Sequence, residues 1–500
     1  IESPEKVQKI LLWALDSMTS TRAGESDSGA MIFRLVFAKY VVGLRYELNV
    51  ELESNNLSDD SNIPSVAFTR KLLALLNRQI NVASDNLLLA SQKHPMHGTL
   101  ISLQYIFREL DYNSESVKAN WNEWRETHDR AIELINKVCE VVLEVLSNPS
   151  PEGNVPASFQ EMDEFINELV VNSGGVGNDE SEGPNHQVIL SFCWRAVKEA
   201  STLLAVVLSR APASPEIGNK KGMLDLQGIR NGGSLFRKLL TSIRHRGAFS
   251  AVYPGYVSLC SRLLNSRQEQ FVELPKIWLE ENIDSIMGNS ISITRRSAGL
   301  PLCILAIVSS EPSNCKVLLS WTMKKLIEIG LEAPVDVDQT IDLPQVHAFN
   351  ILRTIFMDAT LGKDVLSYVS DGFVLAIKGF SSSSWAVRNC SVMLFSTLLQ
   401  RTFGTKKTKD EHHSINKLTG REFFSRFPQL HPFLLEELGV AVDQLINPIA
   451  DNLEVHPGLY PILTLLSRFH PSLVEGKNSV LNMSPFVSLV LSCSSSPIYR

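Results

Sequence analysis

The 500 residues carry 47 Lys and Arg against 54 Asp and Glu, a formal net charge of −7, and 44% of them are hydrophobic. A chain of this length buries a large core, either as several domains or as one elongated repeat array, and its acidic average argues against a uniformly basic nucleic-acid binder. No run reaches the roughly 18 uninterrupted apolar residues of a membrane span and no signal peptide opens the chain, so membrane insertion is excluded and a cytoplasmic protein is expected.

Amphipathic helical periodicity runs through nearly every segment, separated by loops rich in Gly, Pro, Ser, Asp and Asn, with no series of alternating strands. The pattern predicts helices over 4–17 and 30–50 around a polar turn at 19–29, a break at 53–64, and a helix over 66–84. His97, Gly98 and Thr99 open a helix over 100–110, and a long one over 120–146 has Trp121 and Trp124 near its start. After the break from Pro149 to Pro156, residues 159–171 read as a short acidic helix and 172–187 as a solvated loop. Helical patterning resumes over 188–209, a long loop with room for a short helix covers 211–233, and a helix over 234–243 leads into Arg244-His245-Arg246-Gly247. Helices over 271–287, 302–308, 314–330, 345–357, 362–379 and 384–401 follow, and after a polar stretch at 405–420 come 421–427, 433–445, 459–469 and 485–493. This is an all-α pattern, an α-solenoid of HEAT or armadillo-like hairpins running through 1–500. The start at Ile1 and the apolar, serine-rich end read as those of a segment cut from a longer chain.

Seven scattered cysteines without a C-x-x-C pair point to reduced, buried thiols rather than zinc or disulfides. Charge is segregated. No Lys or Arg lies between Val138 and Trp194, and no Asp or Glu between Leu226 and Gln268, where Arg230, Arg237, Lys238, Arg244, Arg246, Arg262 and Arg267 stand. Such a field attracts a polyanion locally even on an acidic molecule; the two blocks facing each other across an internal interface is the alternative.

The stretch around which the chain is organised is Arg295, Arg296, Ser297, Ala298, Gly299, Leu300 and Pro301, after the capping candidate Thr294. Adjacent arginines project about 100° apart on a helix and cannot share one apolar seam, so at least one faces a groove or a partner. Small residues beside them allow close approach, either of a ligand or of a neighbouring helix. Basic residues near helix starts recur at His97, Arg195, Arg246, Arg296, His347 and Arg388, most of them about 50 residues apart or twice that, slightly longer than the 40–47 residues of a HEAT or armadillo unit. In a stack of hairpins this would make a ladder along one wall. The glycine cluster at 173–177 lacks the strand that a cofactor turn requires, Arg295 stands where a nucleophile elbow needs glycine, and Asp410-Glu411-His412-His413 reads as a solvated loop. No catalytic, cofactor-binding or metal site is assigned.

Taken in order, Cys193 to Glu199, Arg244 to Phe249, Thr294 to Pro301, Val346 to Arg353, Gly379 to Ser381, Ser384 to Ser391 and Gly420 to Pro428 resemble the thyroid-adenoma-associated protein family and its yeast tRNA-methylation relatives. The resemblance covers roughly 97–471. It implies a family signature region (DUF2428-like) at about 86–311 and further family-like helical repeats over 312–480. It also implies a noncatalytic, substrate-positioning subunit of an FtsJ-type methyltransferase that modifies the ribose 2′-oxygen of tRNA nucleotide 32, with S-adenosylmethionine bound by that partner. The family's Arg-Arg-Ser-Ala-Gly-Leu-Pro signature stands here as Arg295 to Pro301. Contacts to RNA or to the partner are expected from Arg230, Arg237, Lys238, Arg244, His245, Arg246 and Arg388. A protein-interaction scaffold without direct RNA binding, such as a metabolic or calcium-pump regulator, is the alternative.

Overall fold

The computed structural model describes residues 2–50, 61–147, 182–216, 222–287, 297, 299–333, 343–404, 418–446, 455–470 and 481–494. Helices account for nearly all of the regular structure. They are α1 (Pro4–Met18), α2 (Ala23–Val36, continued by a π-helical segment Phe37–Val42), α3 (Pro64–Asp85), α4 (Leu87–Lys93), α5 (His97–Glu109), α6 (Glu115–Ala119) and α7 (Trp121–Leu146). Next come α8 (Glu182–Arg210), α9 (Leu226–Ser242), α10 (Arg246–Leu264), α11 (Glu269–Met287), α12 (Leu300–Ser310), α13 (Val317–Leu331) and α14 (Pro344–Met357). The last are α15 (Val369–Gly379), α16 (Trp385–Phe403), α17 (Gly420–Arg426), α18 (Leu430–Ile446), α19 (Leu459–Leu466) and α20 (Ser484–Cys493). A two-residue parallel pair, Leu418–Thr419 with Phe469–His470, is the one strand pairing among the described residues that the helical pattern does not anticipate.

Local chemistry starts these helices where they start. Side chains of Asn86, Ser114, Asp225, His245 and Thr419 each accept a hydrogen bond from a first-turn N–H, and proline stands in the first turn of α1, α3, α12, α14 and α20. Those groups satisfy, or remove, donors that no helix can pair internally.

The chain divides into two compact units, residues 1–280 with 298–312, and residues 281–297 with 313–500. In the first, α1 pairs with α2, α3 with α5, α7 with α8 and α9 with α10, and the second members α2, α5, α8, α10 and α12 pack on one another in that order. In the second, α13 pairs with α14 and α15 with α16, α14 packs on α16, and α18 packs on α19 and α20. Each repeat buries its apolar stripe on the next, which is the α-solenoid architecture.

The helix expected over 30–50 stops at Val42, and two helix starts differ from the sequence pattern for one reason. Helix α2 begins at Ala23, inside the stretch that reads as a turn, and α9 begins at Leu226, inside the stretch that reads as a loop. Glycine is there for closeness rather than for bending. A Cβ on Gly29 would stand 2.5 Å from the Met18 backbone nitrogen, and one on Gly233 would stand 2.2 Å from the Trp278 ring. Helix α8 likewise starts at Glu182, earlier than the pattern, while the acidic helix expected at 159–171 lies outside the described residues.

Candidate functional site

Within the signature stretch, Arg295, Arg296 and Ala298 lie outside the described residues. Ser297 belongs to the second unit and is 1% exposed, with a left-handed φ of 59°. That conformation costs a non-glycine residue about 1–2 kcal/mol and persists only where the surroundings hold it. Its Oγ stands 2.7 Å from His347 Nδ1 and accepts a hydrogen bond from Asn350 Nδ2 at 3.1 Å, while the Cys390 thiol lies 3.8 Å from Asn350 Oδ1. Burial pushes the His347 imidazole down to about 4, so it is neutral and Nδ1 can accept the Ser297 hydroxyl proton. Ser297 is thus a buried anchor, bonded to a helix of the next hairpin.

The second half of the stretch packs in the first unit. A Cβ on Gly299 would lie 2.2 Å from the Leu240 carbonyl oxygen, and the equivalent position opening α5, Gly98, would lie 2.1 Å from the Met18 carbonyl oxygen. Leu300 and Pro301 are buried in the first turn of α12. Gly-Leu-Pro therefore lets a wall helix start directly against the end of the first helix of the preceding hairpin.

The basic residues divide into two groups. Arg230, Lys238 and Arg246 are exposed, whereas Arg237, Arg244, His245 and Arg388 are half-buried. The Arg244 N–H donates to the Leu146 carbonyl at 2.9 Å, and His245 Nδ1 accepts the Ala248 N–H at 3.2 Å, capping α10. Arg388 Nη1 donates to the Ser382 and Ser383 carbonyls at 2.7 and 2.9 Å. Lys238 shares a cleft of about 320 Å3 with Asn136, Glu140 and Asn231, which brings one residue of the acidic stretch to the same cleft as one of the basic stretch. Gly247 lies beside the Trp194 ring, over whose face the Lys198 ammonium sits at 5.9 Å, which brings Trp194, Lys198 and Arg246 to one edge of the first unit.

Of the six recurring basic positions, His97 and His347 are buried, Arg195 Nη1 donates to the Thr21 carbonyl at 3.0 Å, and Arg388 holds its own loop. Arg246 alone is exposed, and Arg296 is outside the described residues. Arg195 therefore ties α8 to the loop after α1, while Arg388 closes its own loop and the two histidines are packed inside their units.

Sequence reasoning passed over a second series at the opposite helix ends. Arg210 Nη2 donates to the Arg108 carbonyl at 3.0 Å, Arg262 to the Leu208 carbonyl and, at 2.7 Å, to the Ala211 carbonyl, and Arg401 Nη2 to the Asp358 carbonyl at 2.8 Å. Each arginine sits late in one wall helix and closes the end of the preceding one, where unpaired carbonyls and the helix dipole favour a cation. Its signal in the sequence is an arginine near the end of the helical pattern, with Arg210 and Arg262 about 50 residues apart.

Among the described residues no group of His, Cys, Asp and Glu is arranged to hold a metal ion, and no helix is long and apolar enough to cross a membrane. The glycine cluster at 173–177 and the loop Asp410 to His413 fall outside those residues. Five cysteines are buried, and burial raises the thiols of Cys139, Cys193 and Cys303 to about 12; Cys315, against expectation, is exposed at the start of the α13 hairpin.

No solved structure matches this chain. Curated relatives include the mouse protein named "tRNA (32-2'-O)-methyltransferase regulator THADA", 32% identical over 100% of this chain and 28% of its own length. The human protein of the same name is 32% identical over 99% of this chain and 28% of its own length. The Schizosaccharomyces pombe protein named "tRNA (32-2'-O)-methyltransferase regulator trm732" is 37% identical over 87% of this chain and 28% of its own length. The chain thus spans a little over a quarter of these relatives. A family model described as "Trm732, C-terminal TPR repeats" matches residues 388–500, in keeping with the helical hairpins that begin at α16. A model described as "THADA/TRM732, DUF2428" matches residues 126–386, taking in most of the wall helices, the anchored Ser297 and the His347 that holds it, and with that match the chain belongs to the THADA/TRM732 family.

Proposed function

We propose that this chain is the wall-forming part of a noncatalytic subunit that regulates a tRNA 2′-O-methyltransferase, presenting the anticodon loop to it. The observation that carries this reading is the family match over 126–386 together with relatives named as regulators of tRNA (32-2'-O) methylation that align along essentially the whole chain. The partner is an FtsJ-type enzyme that binds S-adenosylmethionine and methylates nucleotide 32, and the two work in the cytoplasm. This chain supplies position rather than chemistry. Holding a target ribose at another protein's active site lowers the barrier by removing orientational freedom, without any catalytic group of its own.

RNA is held mainly through phosphates, which orient it without reading bases. Arg230, Lys238 and Arg246, exposed on the first unit, are suited to that contact, and Arg295 and Arg296 are assigned to RNA or to the methyltransferase. Reconstitution tests the assignment. Arg295→Ala with Arg296→Ala in the full-length protein abolishes nucleotide 32 methylation while the melting temperature is retained; normal methylation by the folded double variant would remove the motif from the mechanism. Wild-type protein that neither binds tRNA nor stimulates the methyltransferase would remove the reading altogether.

A second reading has its own support. Because Arg195 and Arg388 already bind backbone carbonyls, the wall offers a polyanion fewer free cations than the sequence suggests, which suits a surface that docks a protein. Binding of the methyltransferase without tRNA, unaffected by charge reversal at Arg230, Lys238 and Arg246, is its signature.

A further inference from the structure

The first unit contains a cleft of about 590 Å3 that the positioning role does not use. It opens among the loop after α1, the end of α4, the start of α5 and the first turns of α8, and it is lined by Thr21, Ser91, Gln92, His97, Gln187, Ser191, Phe192 and Arg195 among others. The volume lies within the roughly 300–1,000 Å3 of small-ligand sites. Its chemistry is specific. Two amides, three hydroxyls and an imidazole supply neutral donors and acceptors, a phenyl ring, a proline and a valine supply apolar surface, and a single guanidinium supplies the only charge among the described residues of the lining. His97 is 5% exposed, and its Nε2 is buried without a hydrogen-bond partner. An unpaired buried polar atom is costly, so this nitrogen is a hydrogen-bonding position that the protein itself leaves unfilled. The neighbouring Arg195 is already fixed by its bond to the Thr21 carbonyl, so its remaining N–H groups are held in place at the rim.

We infer that this cleft receives one unstacked nucleotide, the base among Gln92, Gln187, Ser191 and His97 and the phosphate at Arg195. The lining matches a base in kind: an uncharged heteroaromatic ring with several donors and acceptors on its edge, carrying one anionic group. A carboxylate or a free phosphate would leave most of the neutral groups unused, and an apolar side chain would leave all of them unused. Burial holds the His97 imidazole near 4, so it meets the base as a neutral group at physiological pH. The source of the nucleotide is either a base turned out of the tRNA anticodon loop, which rests on the function proposed above, or a free mononucleotide.

The test uses the full-length protein with two probes, an anticodon stem-loop carrying 4-thiouridine in place of each loop uridine in turn, and the four free 5′-mononucleotides. Irradiation is expected to crosslink the stem-loop to the peptide containing Ser191 and Phe192. The exposed substitutions Gln92→Leu and Gln187→Leu together weaken binding at least tenfold with melting temperature unchanged, and Arg195→Gln weakens it at least tenfold in a protein that stays folded, with a melting temperature lowered by loss of the bond to Thr21. Mononucleotide binding that is lost in the same variants supports the cleft with a free nucleotide as its occupant, even if the protein binds no tRNA. Stem-loop binding within twofold of wild type in both variants, with crosslinks elsewhere, overturns the cleft and leaves the regulatory function standing. Crosslinks of this peptide to the methyltransferase rather than to RNA overturn it also, and assign the cleft to protein docking.

Discussion

Ser297 and Gly299 show how two neighbours in one motif serve different ends. The serine holds a left-handed backbone in place through His347 and Asn350, so Ser297→Ala removes the partner of a buried imidazole nitrogen while keeping the strained φ. Chemical denaturation of this variant should show a loss of about 1–3 kcal/mol. Gly299→Ala fails for a steric reason, since the obstacle at 2.2 Å is the Leu240 carbonyl, which cannot rotate away as a side chain would. A loss of about 1–3 kcal/mol is expected there too, and Gly98→Ala should behave in parallel against Met18. The sequence made the motif conspicuous through its arginines, but its small residues are explained by packing. A serine in αL and a glycine under a carbonyl look alike in one dimension, because what demands them lies some 50 residues away or on another hairpin. Thiol accessibility is simpler. Alkylation of the native protein should label Cys315 first and leave Cys139, Cys193, Cys260 and Cys303 unmodified, as mass spectrometry can check.

At the level of helices, the arginines that close preceding helix ends are the clearest structural assignment. Replacing Arg262 by Met leaves the Leu208 and Ala211 carbonyls without their guanidinium, and thermal melting should register a loss of about 1.5–3 kcal/mol. Lysine should not restore it, because one ammonium on a flexible stem does not reproduce a fork that reaches two carbonyls at once. Helix existence was legible from periodicity nearly throughout, from α1 to α20. Boundaries at α2 and α9 were not, since glycine signals both a turn and a place where another backbone or ring comes close. The difference between Gly29 as a break and Gly29 as a contact resides in α1, not in the residues around it. Likewise the basic block at 226–268 looks in sequence like a continuous field, whereas Arg262 and the Arg244 backbone serve as helix closures within it.

For the molecule as a whole, three of the buried histidines set an acid limit. Burial lowers His97, His128 and His347 from 6.5 to about 4, and in His128 the Nδ1–H donates to the Trp124 carbonyl at 2.6 Å while Nε2 accepts from the Tyr112 hydroxyl at 2.9 Å. The unfolded chain takes up these protons near pH 6.5 and the folded chain resists them until about pH 4. Stability is therefore full above pH 6.5 and falls as pH drops from 6.5 towards 4, with up to roughly 3 kcal/mol from each histidine. Urea titrations at successive pH values should show that slope, and His128→Phe should reduce it.

Each arginine closure also makes neighbouring layers mutually dependent. Excising the hairpin α9–α10 would not simply shorten the array, because the terminal carbonyls of α8 would lose the side chain that covers them. Length variation in such a protein is consequently easier in the connections between helices than in the number of layers.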